Sequence, residues 1–239
     1  MLTDSVSFAP PRGTFAPAGA IQNIIFPIAG QLRARRVVTR SRARSTGKYP
    51  SWKMDRMIQW ESTPELNAFR LLDSDPTVIR FSEQPCAISY LQDGVVRSHV
   101  PDILIEYSDR KELWEVKVES EALTPEIAAR TVLMHGLAPW GYTYKVVLAA
   151  KLAAQPRLNN AMYLQRFGGL RAVSPEERES IRQVLKRTGY LLWGDACRGI
   201  YGLHGREILC RLALEGLLSL DLTSVWTENT RFFAKKAAF

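Results

Sequence analysis

Asp102, Glu115 and Lys117 stand in an order that can hydrolyse a phosphodiester. Asp102 follows Pro101, and 12 residues separate it from Glu115-Val116-Lys117. Side chains of a strand alternate faces, so Glu115 and Lys117 project to one side and Val116 to the other, into the core. A turn near Asp109 joins this strand to the one before it, and neighbouring antiparallel strands can bring Asp102 and Glu115 within reach of one cation. Mg²⁺ takes oxygen ligands at about 2.1 Å and keeps several waters, so one or two carboxylates plus a scissile phosphate suffice. Mn²⁺ is expected to substitute for it. The ion would activate a water and polarise the phosphoryl group. Lys117 would position or deprotonate that water, or offset charge in the transition state. A reading without catalysis makes Glu115 and Lys117 a surface ion pair contributing about 0–1 kcal/mol. Trp114, Val116 and Val118 argue instead for a half-buried strand whose polar face holds both charges.

A third carboxylate is expected from a helix. Ser62-Thr63-Pro64-Glu65 has a hydroxyl cap, Pro in the first turn and Glu three residues after Ser, and Leu66, Phe69 and Leu72 then give one apolar face before Asp75-Pro76. Ser62-x-x-Glu65 is also a capping box that needs no catalysis. Glu61 competes with Glu65 for the role, but it precedes the helix start.

These residues need a small α/β frame. Three extended segments follow the helix: Val78–Phe81 continuing into Ala87–Leu91, Val95–Tyr107 interrupted by Pro101, and Leu113–Val118. Asp93-Gly94 and Ser108–Lys111 supply turns, which predicts an antiparallel meander. Thr124-Pro125-Glu126 starts a helix reaching about Leu137, and the apolar Tyr144–Ala149 reads as a strand that could lie mid-sheet. Ser174-Pro175-Glu176-Glu177 opens another helix, with Gly189 as its stop. His204–Glu215 is amphipathic and ends at Gly216. Leu217–Leu222 and Thr223–Lys236 read as a strand and its return. Helices followed by a small hairpin fit a winged-helix module; the alternative is a helical packing domain that never touches DNA, and the segment's basic charge favours DNA or partner binding.

Charge divides the 239 residues into three: +7 over 1–50, −4 over 51–156 and +5 over 157–239. We take 1–50 as a basic, partly disordered arm, 51–156 as a nuclease domain and 157–239 as a binding domain. Residues 1–30, rich in Pro, Ala and Gly, read as a poorly ordered tail. Arg33, Arg35, Arg36, Arg40, Arg42, Arg44 and Lys48 form an acid-free run that can lie along phosphates, though such runs are often only solvated tails. No apolar run approaches the roughly 18 residues of a membrane span. With no secretory signal, a cytoplasmic, nucleoid-associated protein is expected. Cys86, Cys197 and Cys210 lack metal or disulfide spacing and read as buried thiols. His99, His135 and His204 show no ligand spacing either.

The stretches "STPELNAFRLLDSDPTVIRFSEQP", "HVPDILIEY" and "ELWEVKVES" resemble TnsA, the endonuclease subunit of heteromeric transposases in the PD-(D/E)xK nuclease superfamily. The upstream "STGKYPSWKM" resembles the family's basic lead-in. The likeness covers about residues 45–150, and the tail "LEGLLSLDLTSVWTENTRF" resembles the family's C-terminal domain more loosely. It implies a restriction-endonuclease-like α/β core, a mixed sheet flanked by helices, with a small C-terminal winged-helix-like domain. It places the metal-binding carboxylates on Glu65, Asp102 and Glu115 and the catalytic lysine on Lys117, with Gln84 in a supporting Gln-Pro element. It also implies cleavage at the 5′ ends of a transposon during cut-and-paste transposition, on double-stranded DNA. The implied partners are a TnsB-like transposase and a TnsC-like AAA+ ATPase. A stand-alone restriction- or repair-type endonuclease, or a non-catalytic DNA-binding assembly factor, remains an alternative.

Overall fold

A computed structural model describes residues 20–34, 45–122, 124, 130–169 and 171–235. Arg35, Arg36, Arg40, Arg42 and Arg44, and the Pro125-Glu126 helix start, lie outside the described residues. The chain divides into two compact units, residues up to 68 with 78–153, and residues 69–77 with 154 onward.

The first unit contains β1 (Ile21–Ile25), β2 (Gly47–Ser51), β3 (Arg56–Trp60), the first turns of α1 (Thr63–Ser74), β4 (Arg80–Glu83), β5 (Ala87–Gln92), β6 (Val95–His99), β7 (Ile103–Glu106) and β8 (Lys111–Lys117). It continues with α2 (Glu119–Ala122), α3 (Thr131–Gly136), β9 (Tyr142–Leu148) and α4 (Ala149–Leu152). A four-stranded sheet runs in the order β4-β7-β8-β9. Its first three strands are antiparallel and β8 pairs with β9 in parallel. The parallel step needs a crossover, which the segment bearing α2 and α3 provides. This mixed sheet with its helices has the restriction-endonuclease-like character expected.

The predicted meander is corrected in its details. Val78–Leu91 is two strands in two sheets, because Gln84 takes a left-handed φ of 44° before Pro85 and turns the chain out of line. Val95–Tyr107 splits at Pro101, so β6 joins β1 and β5 in a three-stranded sheet, order β1-β5-β6. Asp93 and Gly94 both have positive φ, as a two-residue hairpin demands. β9 lies at the sheet's edge, not its middle: it alternates, with Tyr144 and Val146 buried. The tail reading is corrected for Ile21–Ile25, which pairs with β5. Ile21 joins Ile88, Leu113, Leu133, Leu137 and Val146 in the core.

The second unit holds α5 (Arg157–Gly168), α6 (Pro175–Thr188), β10 (Leu191–Leu192), α7 (Trp193–Cys197), α8 (Gly205–Leu214), β11 (Leu218–Ser219) and β12 (Arg231–Ala234). The Ser174/Glu177 capping box forms, and Gly189 ends α6 at φ 77°. The strands order as β10-β12-β11. They are shorter than predicted because Asp221 accepts the Thr223 N–H and the Thr223 and Ser224 hydroxyls, holding a local turn where the ladder would run. α5, absent from the sequence reading, packs on α8: a Cβ at Gly168 would lie 2.7 Å from Arg211 N. Cys86 and Cys210 are buried, but Cys197, at the end of the five-residue α7, is exposed, and all three are free. No helix among the described residues is long and apolar enough to cross a membrane.

Candidate active site

β8 runs outward from the core. Leu113, Glu115 and Lys117 share one face, and exposure rises along it from 0% at Leu113 to 3% at Glu115 and 24% for the Lys117 side chain. The other face is anchored as firmly. Trp114 Nε1 donates to Glu112 Oε2 at 2.8 Å, and Glu112 Oε1 takes Lys145 and Arg110, each at 2.8 Å. β8 is therefore buried on both faces, not half-buried. A 3%-exposed Glu115 also removes the surface ion-pair reading.

Asp102 leads into β7, where Ile103 sits opposite Trp114. Its N–H donates to Trp114 O at 3.0 Å, and its Oδ2 accepts the Val116 N–H at 2.7 Å. Asp102 thus grips β8 on both sides of Glu115. Its carbonyl accepts the Gln84 N–H at 2.8 Å, which gives Gln84 a supporting place without a chemical one.

Glu65 sits in the first turn of α1, held by its own cap. Ser62 Oγ donates to Oε1 at 2.9 Å and the Glu61 N–H to Oε2 at 2.8 Å. Glu61 and Glu65 both border the same cleft, of about 710 Å³, as do Asp102, Glu115 and Lys117. The four sequence-predicted active-site residues are therefore gathered at one place.

Three further residues join them. Glu115 Oε1 takes Lys117 Nζ at 2.9 Å and the Arg130 guanidinium. Glu115 Oε2 lies 3.1 Å from His99 Nε2 and 3.4 Å from the Tyr144 hydroxyl, which is itself 2.9 Å from His99 Nε2. The spacing of His99 in the sequence does not mark it as a ligand, and Arg130 and Tyr144 carry no sequence signal. His99's one clue was its place three residues before Asp102.

Charge explains the arrangement. Burial pushes the Glu115 carboxyl up, but the His99 hydrogen bond and charge, with Lys117 and Arg130, hold it down at about 2. Asp102 has less help: burial, then the Glu115 and Glu65 charges, raise it well above the ordinary carboxylate range, and the Val116 N–H and the Lys117 charge offset only part. Burial likewise raises Glu65 against its Glu61 and Ser62 hydrogen bonds.

A hard divalent cation suits this donor set in kind. Three carboxylates border one cleft, and the repulsion that raises Asp102 is what a cation relieves. Five of their six oxygens, all but Asp102 Oδ1, are nevertheless engaged by protein donors, and no three His, Cys, Asp or Glu side chains among the described residues stand within one ion's reach. Holding an ion would require Glu115 to let go of a cationic partner.

Of the predicted DNA-contacting run, two residues are described. Arg33 donates to the buried Glu83 at 2.9 Å, beside the bidentate Arg56–Glu83 pair, and so holds the fold together locally. Lys48 is exposed on β2.

Residues 75–159 match the family model of the TnsA-like endonuclease N-terminal domain. That span contains Asp102, Glu115, Lys117, His99, Arg130 and Tyr144, while Glu65 lies ahead of it. No curated protein matches the chain.

Proposed function

We propose, from the premise that residues 75–159 form a TnsA-like nuclease domain of the PD-(D/E)xK superfamily, that this chain is the Mg²⁺-dependent endonuclease subunit of a heteromeric transposase, nicking DNA at the 5′ ends of a transposon. One observation carries the reading: Asp102 and the Glu115-Val116-Lys117 strand meet in a cleft that Glu65 also borders.

Asp102, Glu65 and Glu115 are the residues that would hold the ion. Such an ion supplies Lewis-acid activation of water and neutralises charge on the phosphate. Lys117 stands at the open end of β8, where its ammonium orients the attacking water or stabilises charge on the transferring phosphoryl group. Tyr144 and His99 fix the Glu115 carboxylate, and Gln84 and Val116 fix Asp102. The partners of this reading are double-stranded DNA, a TnsB-like transposase and a TnsC-like AAA+ ATPase. The α6-β10-α7-α8-β11-β12 order with sheet order β10-β12-β11 supports a winged-helix-like second unit that binds DNA or a partner. The exposed Lys48 and the arginines from 35 to 44 suit a basic arm on phosphates.

The test is reconstitution with the neighbouring transposase on DNA carrying transposon ends. Nicks at the 5′ ends that require both proteins and Mg²⁺ support the reading. Sequence-specific cleavage by the chain alone would make it a stand-alone nuclease. A second reading draws on the engaged carboxylates: an assembly factor that binds DNA without cutting. A Mn²⁺ titration that detects no binding, with DNA binding intact, would establish it.

A further inference from the structure

We infer that Arg130 is a phosphate-binding residue of the cleft: its guanidinium, placed on Glu115 in the free protein, transfers to a backbone phosphate of bound DNA. The inference rests on the nuclease reading above and adds to it the group that receives the substrate.

The cleft has a charge problem. Glu61, Glu65, Asp102, Glu115 and Glu121 all border it, while Lys117 and Arg130 are its only Lys or Arg among the described residues. A phosphodiester entering such a site is repelled unless a cation meets it. Lys117 is committed to the reacting centre by its place two residues after Glu115 on the same face. Arg130 is the cation left over.

Glu115 does not need Arg130. Its Oε1 is also met by Lys117 at 2.9 Å, and its Oε2 by His99 at 3.1 Å and Tyr144 at 3.4 Å. Glu115 thus keeps three partners, Lys117, His99 and Tyr144, when Arg130 leaves it. A divalent cation at Glu115 competes first with a partner of this kind. Arg130 also has a second neighbour, the Tyr144 hydroxyl, whose oxygen can accept from the guanidinium. Tyr144 is 3% exposed and cannot follow a departing side chain. The guanidinium can therefore leave Glu115 and stay at the cleft, its side chain 22% open to solvent. A planar guanidinium with paired N–H groups matches two phosphate oxygens, which an ammonium does not.

The experiment measures DNA affinity without divalent metal, so that cleavage is not the readout. The full chain and its Arg130→Ala, Arg130→Lys, Glu115→Gln and Glu115→Gln/Arg130→Ala variants are titrated into fluorescent duplex DNA across a salt series, with thermal melting as the folding control. Arg130→Ala is expected to raise Kd about tenfold, the loss of one charge-assisted contact. It should also flatten the slope of log K against log salt by about one unit. Arg130→Lys recovers the salt slope and only part of the affinity. Glu115→Gln, with one negative charge fewer in the cleft, binds more tightly than the wild type, and adding Arg130→Ala to it costs the same factor of about ten. Wild-type affinity and salt slope in Arg130→Ala would overturn the inference. So would a double variant that binds as tightly as Glu115→Gln alone, since Arg130 would then be only the counter-ion of Glu115. If Arg130-dependent binding is found but the wild type with its transposase and Mg²⁺ never cuts, the nuclease reading fails alone.

Discussion

Asp102 Oδ2 accepts the Val116 N–H at 2.7 Å, so one carboxylate oxygen is pinned to the strand that carries Glu115 and Lys117. That hydrogen bond sets the separation between the two halves of the site. It also holds a carboxylate against two others that repel it, and this has measurable consequences for stability.

Asp102→Asn should stabilise the protein at neutral pH while removing its activity. The folded state raises the Asp102 carboxyl above its ordinary value of 3.8, so its contribution is fully present below that value and is lost as pH rises through the folded one. A neutral Asn escapes that loss, whose first cause is burial and whose second is the Glu115 and Glu65 charges. The variant's Tm should exceed the wild type's at neutral pH and match it in acid; a Tm deficit at neutral pH would count against the crowding of carboxylates.

Mg²⁺ or Mn²⁺ should raise the Tm of the wild type progressively with the logarithm of free ion above its Kd, because an ion that binds only the folded state stabilises it by mass action. The shift should disappear in Asp102→Asn. Equal shifts in both proteins would place the ion elsewhere.

Glu115 behaves in the opposite sense. Its carboxyl, held at about 2 against an ordinary 4.5, contributes stability above 4.5 that is lost as pH falls towards 2. Glu115→Gln should lower stability at neutral pH by about 2 kcal/mol, a buried-pair loss discounted because Lys117 and Arg130 are part-open to water. Its acid-unfolding limb should also be shallower. An unchanged limb would show that the Glu115 contacts do not govern its protonation.

Glu65 can be tested as cap and as ligand separately. Ser62→Ala removes the hydroxyl that bonds Glu65 and should cost about 1 kcal/mol in thermal or urea unfolding. Glu65→Gln keeps an acceptor for the Glu61 N–H and should cost less. Metal-dependent cleavage should nonetheless fall at least about tenfold in Glu65→Gln, a loss of about 1.4 kcal/mol in transition-state binding. Full activity there would leave Glu65 a cap only.

Gly168→Ala should destabilise the second unit by roughly 1–3 kcal/mol. The added Cβ would sit 2.7 Å from backbone atoms of Arg211 and Cys210, and backbone does not yield as a side chain does. An unchanged melting curve would mean that α5 and α8 are not locked at this point.

The relation of sequence to structure follows from distance along the chain. Asp102, Glu115 and Lys117 were legible because the period of a strand and one turn suffice to bring them together. The same holds for the Asp93-Gly94 hairpin and the Ser174–Glu177 cap, which are local chemistry. His99, Tyr144 and Arg130 were not legible. His99 ends β6 in another sheet, Tyr144 arrives through the parallel β8–β9 pairing, and Arg130 precedes α3. No local pattern records those meetings. β1 escaped notice because its pattern of burial is set by β5 and not by alternation of its own, and β10 and β11 span two residues each, too few to show a period. Charge alone places Arg33 in a phosphate-binding run, whereas its partner Glu83 lies 50 residues away.

The most direct measurement is strand cleavage with Mg²⁺ and the partner transposase, comparing the wild type with Asp102→Ala and Lys117→Ala while DNA binding is followed in parallel. Cleavage should vanish in both variants while each still binds DNA. Wild-type cleavage by either would mean that the phosphodiester is broken somewhere other than between Asp102 and the Glu115–Lys117 strand.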